Sequence, residues 1–170
     1  MSDQPILEIN NLFVEYLTPR GPALAVNDVS FSIFPGEVFG LAGESGCGKS
    51  TIAHSILRVL RPPAVITGGE IKFCGQNVLA MDDAAIEKFR WSGVSMVFQS
   101  AMNSLNPVIT IGEQITDVLL THTKMTKQQA RERAAELLTI VGIEKTRLDS
   151  FPHQMSGGMR QRVVIAIALA

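Results

Sequence analysis

Residues 43–51 read GESGCGKST, which places glycines, a lysine and hydroxyl side chains at the spacing of a phosphate-binding loop. Gly43, Gly48, Lys49 and Ser50 fit the pattern of glycine, any four residues, glycine, lysine and then serine or threonine. In such a loop the backbone N–H groups point at phosphate oxygens, the lysine reaches the β- and γ-phosphates, and the serine hydroxyl ligates Mg²⁺. The segment therefore predicts a site for a nucleoside triphosphate. The remaining residues of the predicted loop are Glu44, Ser45, Gly46, Cys47 and Thr51.

A buried strand and a helix must position this loop. An apolar run at 38–42 enters it, and an amphipathic run at 52–60 leaves it. We predict an α/β fold, a P-loop NTPase with a parallel core beside an N-terminal antiparallel β layer. The further predicted strands are 6–16, 29–34, 69–73 and 93–98, the last of them buried and ending at Gln99.

Beyond Gln99 the pattern becomes helical. Thr110 with Glu113, and Thr126 with Gln129, have the spacing of capping boxes, each ahead of an apolar run. We predict a helical insertion over 100–155, after a region of antiparallel layer and P-loop core over 1–99.

A second segment that could bind a ligand is Ser156-Gly157-Gly158, which precedes an apolar helix. A serine N-cap followed by glycines offers a hydroxyl and unobstructed N–H groups at a helix N-terminus, where a phosphate binds well. A plain N-cap ahead of a buried helix has the same pattern, so the segment alone leaves both interpretations open. We assign 156–170 to this cap and the start of its helix.

The composition excludes several classes of function. Fifteen basic and sixteen acidic residues give a net charge of −1, and no basic stripe is present, so nucleic acid is not a predicted partner. The apolar run 163–170 is too short to span a membrane, and the N-terminus lacks the features of a signal peptide. Cys47 and Cys74 have no pairing or metal-ligand spacing and are expected to be reduced thiols.

The order of these motifs resembles the nucleotide-binding subunits of ATP-binding cassette transporters. The stretches FPGEVFGLAGESGCGKST, SMVFQSAMNSLNPVITIGEQI and FPHQMSGGMRQRVVIAIALA look most like the branch that energises uptake of dipeptides, oligopeptides or nickel. The resemblance covers essentially the whole chain. It implies an ATPase that uses ATP and Mg²⁺ and lies peripherally on the cytoplasmic face of the membrane.

The resemblance also implies roles for individual residues. Tyr16 matches the aromatic residue that stacks on adenine. Gln99 matches the loop glutamine that contacts Mg²⁺ or the attacking water and senses the membrane partner. Ser156, Gly157 and Gly158 match the signature motif, which completes the nucleotide site of the opposite subunit. The expected partners are a second ATPase subunit, identical or different, membrane permease subunits and, indirectly, an extracytoplasmic solute-binding protein.

One expected feature of the family is missing from these 170 residues. None of the six aspartates follows a run of four apolar residues, so the Asp-Glu pair that supports Mg²⁺ and polarises water is absent. We therefore expect a chain truncated before that motif, without hydrolysis of its own and of low stability. Two alternatives remain open: an ATPase of the family that works in DNA repair or translation rather than transport, and a non-catalytic nucleotide-binding remnant.

Overall fold

The computed structural model describes residues 4–98 and 104–170, which divide into two compact units, 1–90 and 91–170. The first unit is built on an antiparallel sheet with strand order β2-β1-β3-β4. Alternating burial along β1, with Ile9, Leu12 and Val14 fully buried, places one face of this strand in the core. The strands are β1 Leu7–Thr18, β2 Gly21–Ile33, β3 Ala64–Phe73 and β4 Gln76–Asn77.

Short helices complete the first unit. Helix α1, Lys49–Ile56, follows the glycine-rich loop, and α2, Asp83–Lys88, begins at an Asp82 side chain that caps the Ala85 N–H at 2.8 Å. A π-helix, Phe89–Gly93, runs across the boundary between the two units. Within the first unit Phe89 packs edge-on against Phe73 of β3, with ring centroids 5.2 Å apart.

The second unit is helical. Its core is formed by α3, α4 and α5 with two 3₁₀ turns at Lys145–Asp149 and Pro152–Gln154. Both predicted capping boxes are confirmed. The hydroxyls of Thr110 and Thr126 each accept from the backbone N–H three residues on, and each threonine donates its own backbone N–H to the side chain of that residue. The helices are α3 Ile111–His122, α4 Lys127–Ile140 and α5 Gly157–Ala168. Their apolar faces meet in one cluster that includes Ile115, Leu119, Leu138 and Val163.

The predictions for the strands were partly wrong. β2 begins eight residues before the predicted start at 29, because a tight turn after Thr18 pairs Gly21 with β1 at once. β3 likewise begins at Ala64 rather than 69. The predicted buried strands at 38–42 and 93–98 do not form in the described residues: residue 93 ends the π-helix, and 38–42 and 94–98 pair with no strand.

The reason is that a buried parallel strand needs a neighbour on each side and a cover on each face. The described residues supply no strand beside either segment, and Val38 is 98% exposed. Phe39 stacks on Phe31 of β2, with ring centroids 4.7 Å apart.

Candidate functional site

The glycine-rich loop is held against the sheet by Gly48. This residue is the N-cap of α1 and has a φ of +94°, a conformation that side chains rarely adopt. A Cβ at this position would overlap the carbonyl oxygen of Ala25 in β2 and touch Val26 Cγ2 at 3.5 Å. Glycine therefore lets the loop approach the β2 backbone and fixes where α1 begins.

Lys49 folds back across the loop that precedes it. Its ammonium donates to the carbonyl oxygens of Gly43 at 2.8 Å and Glu44 at 2.6 Å, and lies 3.4 Å from the sulfur of Cys47. The Lys49 side chain thus connects the C-terminal end of the loop to its first two residues. A positive charge is placed at the mouth of a turn whose residues 43–47 are exposed.

The first turn of α1 is anchored to β1. The Tyr16 hydroxyl lies 3.4 Å from Thr51 Oγ1, and Thr51 is buried, as are Ile52 and Ser55 on the same helix. Ser50 is exposed. The structure therefore brings Tyr16, Lys49, Ser50 and Thr51 together at one helix N-terminus.

The electrostatics of this helix end favour an anion. No acidic residue occupies the first turn of α1, and the N–H groups of that turn carry the positive end of the helix dipole. The backbone bond from Ile52 N to Gly48 O, at 2.9 Å, is the first bond of the helix ladder, so the N–H groups before it have no partner within the helix. Such groups, with the Lys49 ammonium, can hold a phosphate chain.

The Ser156-Gly157-Gly158 segment lies in the other unit and forms the cap expected of it. The Ser156 hydroxyl accepts from the Met159 N–H at 3.3 Å, and a Cβ at Gly158 would meet nothing within 4 Å, which leaves the helix end open. Arg162 ties this helix to the end of α4, donating to the carbonyls of Val141 at 3.1 Å and Gly142 at 2.7 Å. Gln99, the remaining predicted site residue, lies outside the described residues.

One contact at the other end of α1 could not be predicted from the sequence. Arg90 donates from Nε to the carbonyl of Leu57 at 2.8 Å and from Nη2 to that of Arg58 at 2.5 Å. A bond across more than thirty residues follows no periodicity and matches no motif, so it can be found only from the fold.

Comparison with known proteins decides the family. A family model described as ABC transporter matches residues 26–170. This chain belongs to the ABC transporter family. The dipeptide transport ATP-binding protein DppD of Bacillus subtilis (strain 168) is 43% identical over 98% of the chain, and the oligopeptide transport ATP-binding protein OppD of the same organism is 42% identical over 97%. The chain spans about half the length of these curated relatives, 50% and 47% respectively.

Solved cassettes confirm the α/β P-loop NTPase fold of this ABC transporter chain. The dimeric post-hydrolysis structure of the ATP-binding cassette MJ0796, bound to ADP and Pi, superposes with a TM-score of 0.83 at 31% identity, over 96% of this chain and 69% of that one. CbiO1 from Clostridium perfringens, part of an ABC transporter complex, gives 0.80 at 27% identity over 98% of this chain and 62% of its own. The likeness thus supports the parallel core of the predicted fold, although segments 38–42 and 94–98 form no strand in the described residues.

Residues 4–98 and 104–170 contain no group of three or more His, Cys, Asp or Glu side chains able to hold a metal ion. None of the helices in these ranges has the length and hydrophobicity that a membrane crossing requires. Cys47 and Cys74 are both exposed and are not joined in a disulfide.

Proposed function

We propose that this chain is the nucleotide-binding part of an ATPase subunit that energises import of peptides, or of a related solute such as nickel, across the cytoplasmic membrane. The observation that carries the ATP site is the Lys49 ammonium held over an exposed glycine loop at the N-terminus of α1. The import assignment rests on the relatives, which are named as dipeptide and oligopeptide transport ATP-binding proteins.

When ATP binds, the Lys49 ammonium would exchange one set of hydrogen-bond acceptors for another. The Lys49 ammonium now donates to two loop carbonyls, and phosphate oxygens carrying full charge are stronger acceptors than either carbonyl. Lys49 would swing from the loop rim to the β- and γ-phosphates, while the N–H groups of Gly46 to Thr51 hold the chain. This is a movement of one side chain, because Gly48 already fixes the start of the helix.

Tyr16 would stack on the adenine. Its ring is half-buried, and its hydroxyl contact with Thr51 keeps the side chain beside the first turn of α1. An aromatic face next to the phosphate site suits a purine base, since stacking depends on the π-face and little on hydrogen bonding.

Ser50 fits a single Mg²⁺ position. Mg²⁺ keeps most of its waters and is held by few protein oxygens together with substrate phosphates. The exposed Ser50 hydroxyl supplies one such oxygen, and Gln99 is proposed as the second ligand. Such a position does not require a cage of acidic side chains. When bound, the ion would neutralise charge on the phosphates.

Assembly would complete the site. Ser156, Gly157 and Gly158 are proposed to contact the nucleotide held by a second ATPase subunit, identical or different, because the open cap of α5 presents a hydroxyl and free N–H groups. The likeness of this chain to a dimeric cassette supports this arrangement. The proposed domains are a core at 1–99, a helical domain at 100–155 and the signature helix at 156–170. Permease subunits would contact the region of Gln99 and the helical domain.

ATP binding is tested on the 170-residue chain with a fluorescent ATP analogue and competition by unlabelled ATP. We expect saturable binding that Lys49→Ala weakens at least about tenfold, the loss of roughly one charge-assisted contact. Lys124→Ala removes an exposed lysine of the helical unit and serves as the control for charge. Equal binding by both variants and the unaltered chain would contradict the proposed site.

Import is tested by replacing the matching part of the Bacillus subtilis dipeptide transport protein with residues 1–170. We expect the chimera to restore growth on a dipeptide as the source of a required amino acid, and Lys49→Ala in the same chimera to abolish it. A chimera that is produced and binds ATP, yet restores nothing, counts against peptide import.

The 170-residue chain alone is proposed to bind ATP without turning it over, because its sequence holds no Asp-Glu pair after an apolar run. Phosphate release in the presence of Mg²⁺ is the measurement. Release that exceeds the background and disappears in Lys49→Ala would show that the chain hydrolyses ATP itself.

A further inference from the structure

The C-terminal end of α1 is closed by two arginines that come from different parts of the first unit. Arg90 directs a guanidinium fork at consecutive carbonyls, those of Leu57 at 2.8 Å and Arg58 at 2.5 Å. Carbonyls at a helix C-terminus have no partner within the helix and carry the negative end of its dipole. A guanidinium satisfies both requirements, and its two donors fix a direction as well as a distance.

Arg58 itself has an unusual backbone. Its φ of +50° is left-handed, where a helix end normally has glycine. The turn is closed by bonds from Arg58 N to Ser55 O and from Val59 N to His54 O, each 3.0 Å. The Arg58 side chain then donates to the carbonyls of Met81 at 2.6 Å and Val78 at 3.3 Å, in the turn after β4. An arginine is used here because its side chain reaches a second element, which glycine cannot do.

The backbone that carries Arg90 is held in place by its neighbour. Phe89 is buried and packs edge-on against Phe73 of β3 at 5.2 Å. The Arg90 guanidinium that contacts α1 is therefore held in place by packing against the antiparallel sheet. The end of α1 is attached to the sheet side twice, through Arg58 to the turn after β4 and through Arg90 to the segment beside β3.

The other end of α1 carries the phosphate loop and is attached to the first two strands. Gly48 lies against Ala25 of β2, and Thr51 contacts Tyr16 of β1. The helix has eight residues and is about 12 Å long at 1.5 Å per residue. Helices this short are not stable alone. The direction in which its N-terminal N–H groups point is thus set by attachments at both ends.

We propose that Arg90 is a positioning residue for the phosphate loop: its fork on Leu57 and Arg58 holds α1 at the angle that aims the loop N–H groups at the nucleotide. The inference rests on the proposed ATP site and names a residue outside every motif that defines it. Arg90 touches no nucleotide and acts through α1.

The test is the affinity of the 170-residue chain for ATP, measured by competition with a fluorescent analogue. We expect Arg90→Gln to weaken binding about fivefold, since the amide reaches one carbonyl at most and carries no charge. Arg90→Lys keeps the charge without the fork and should lie between. Arg20→Gln, at an exposed arginine of the β1–β2 turn, is the control for charge and should stay within about twofold.

A second control separates positioning from stability. Ile71→Val opens a small gap in the buried face of β3 and removes no hydrogen bond to α1. Temperatures are chosen so that this variant and Arg90→Gln are equally folded. Positioning predicts that only the Arg90 variant loses affinity, and that its amides at 50–53 exchange hydrogen faster. Equal loss in Ile71→Val, or unchanged affinity in Arg90→Gln, overturns the inference. Absence of ATP binding by the unaltered chain instead refutes the proposed function.

Discussion

Replacing Gly48 with alanine tests how the loop is held against β2. The substitution adds one methyl group at a residue whose φ is +94°, facing the Ala25 carbonyl oxygen with no flexible side chain to give way. The left-handed backbone alone costs on the order of 1–2 kcal/mol for a residue with a Cβ. The overlap adds to this unless the loop retreats.

The retreat determines the effect on the nucleotide. Restoring an ordinary contact between the new Cβ and the carbonyl oxygen requires a shift of roughly 1 Å, enough to bring most N–H···O bonds outside their favourable range. Because Gly48 is the N-cap of α1, the shift is carried into the N–H groups that would hold the phosphates. We expect the affinity for ATP to fall at least about tenfold, the equivalent of 1.4 kcal/mol.

The assay is competition binding on the 170-residue chain, with Gly36→Ala as the matched control. Gly36 also has a positive φ, +77°, but a Cβ there would meet nothing within 4 Å, and it lies outside the phosphate loop. The control should lose about 1 kcal/mol of stability and keep its affinity within about twofold. If Gly48→Ala binds ATP as well as Gly36→Ala, the close approach to β2 does not position the loop.

Three further changes test the rest of the structure. Thr110 donates its N–H and its hydroxyl to the Glu113 carboxylate, and these bonds lower the pKa of that carboxyl. The stability that results is present above the unfolded pKa of about 4.3 and is lost as pH falls through the folded value. The urea midpoint of the Glu113→Gln variant should therefore change less between pH 7 and pH 3 than that of the unaltered chain. Leu138→Ala, fully buried in the helical core, should cost about 2–4 kcal/mol by urea unfolding, and a loss below 1 kcal/mol would contradict the described packing. Val38→Lys should reduce aggregation measured by light scattering and change the unfolding free energy by less than about 0.5 kcal/mol, because Val38 is 98% exposed.

Features that depend on neighbours in the chain could be predicted from the sequence. The capping boxes at Thr110 and Thr126 need only a hydroxyl and an acceptor three residues later, and both formed. The predicted phosphate loop is equally local, since its turn and the start of α1 at Lys49 lie within nine residues.

Contacts between distant residues could not be predicted in this way. The starts of β2 and β3 depend on pairing with β1, whose register includes shifts near Asn11 that no alternation pattern reveals. Asn11 has a φ of +48°, and its amide donates to the Asp28 carboxylate at 2.7 Å across the irregular ladder. The Arg90 fork on the end of α1 is likewise a consequence of the fold.

The apolar segments 38–42 and 94–98 show why a strand prediction can be wrong beside a motif that is read from local sequence. A continuous apolar run indicates burial on both faces, and such burial belongs to a layer of neighbouring elements rather than to the run itself. The loop after the first segment has its attachments on the other side: Gly48 lies on β2, and Thr51 contacts Tyr16 of β1. The attachments of the predicted phosphate loop therefore come from the antiparallel sheet, and pairing of 38–42 would add stability to the segment that enters the loop.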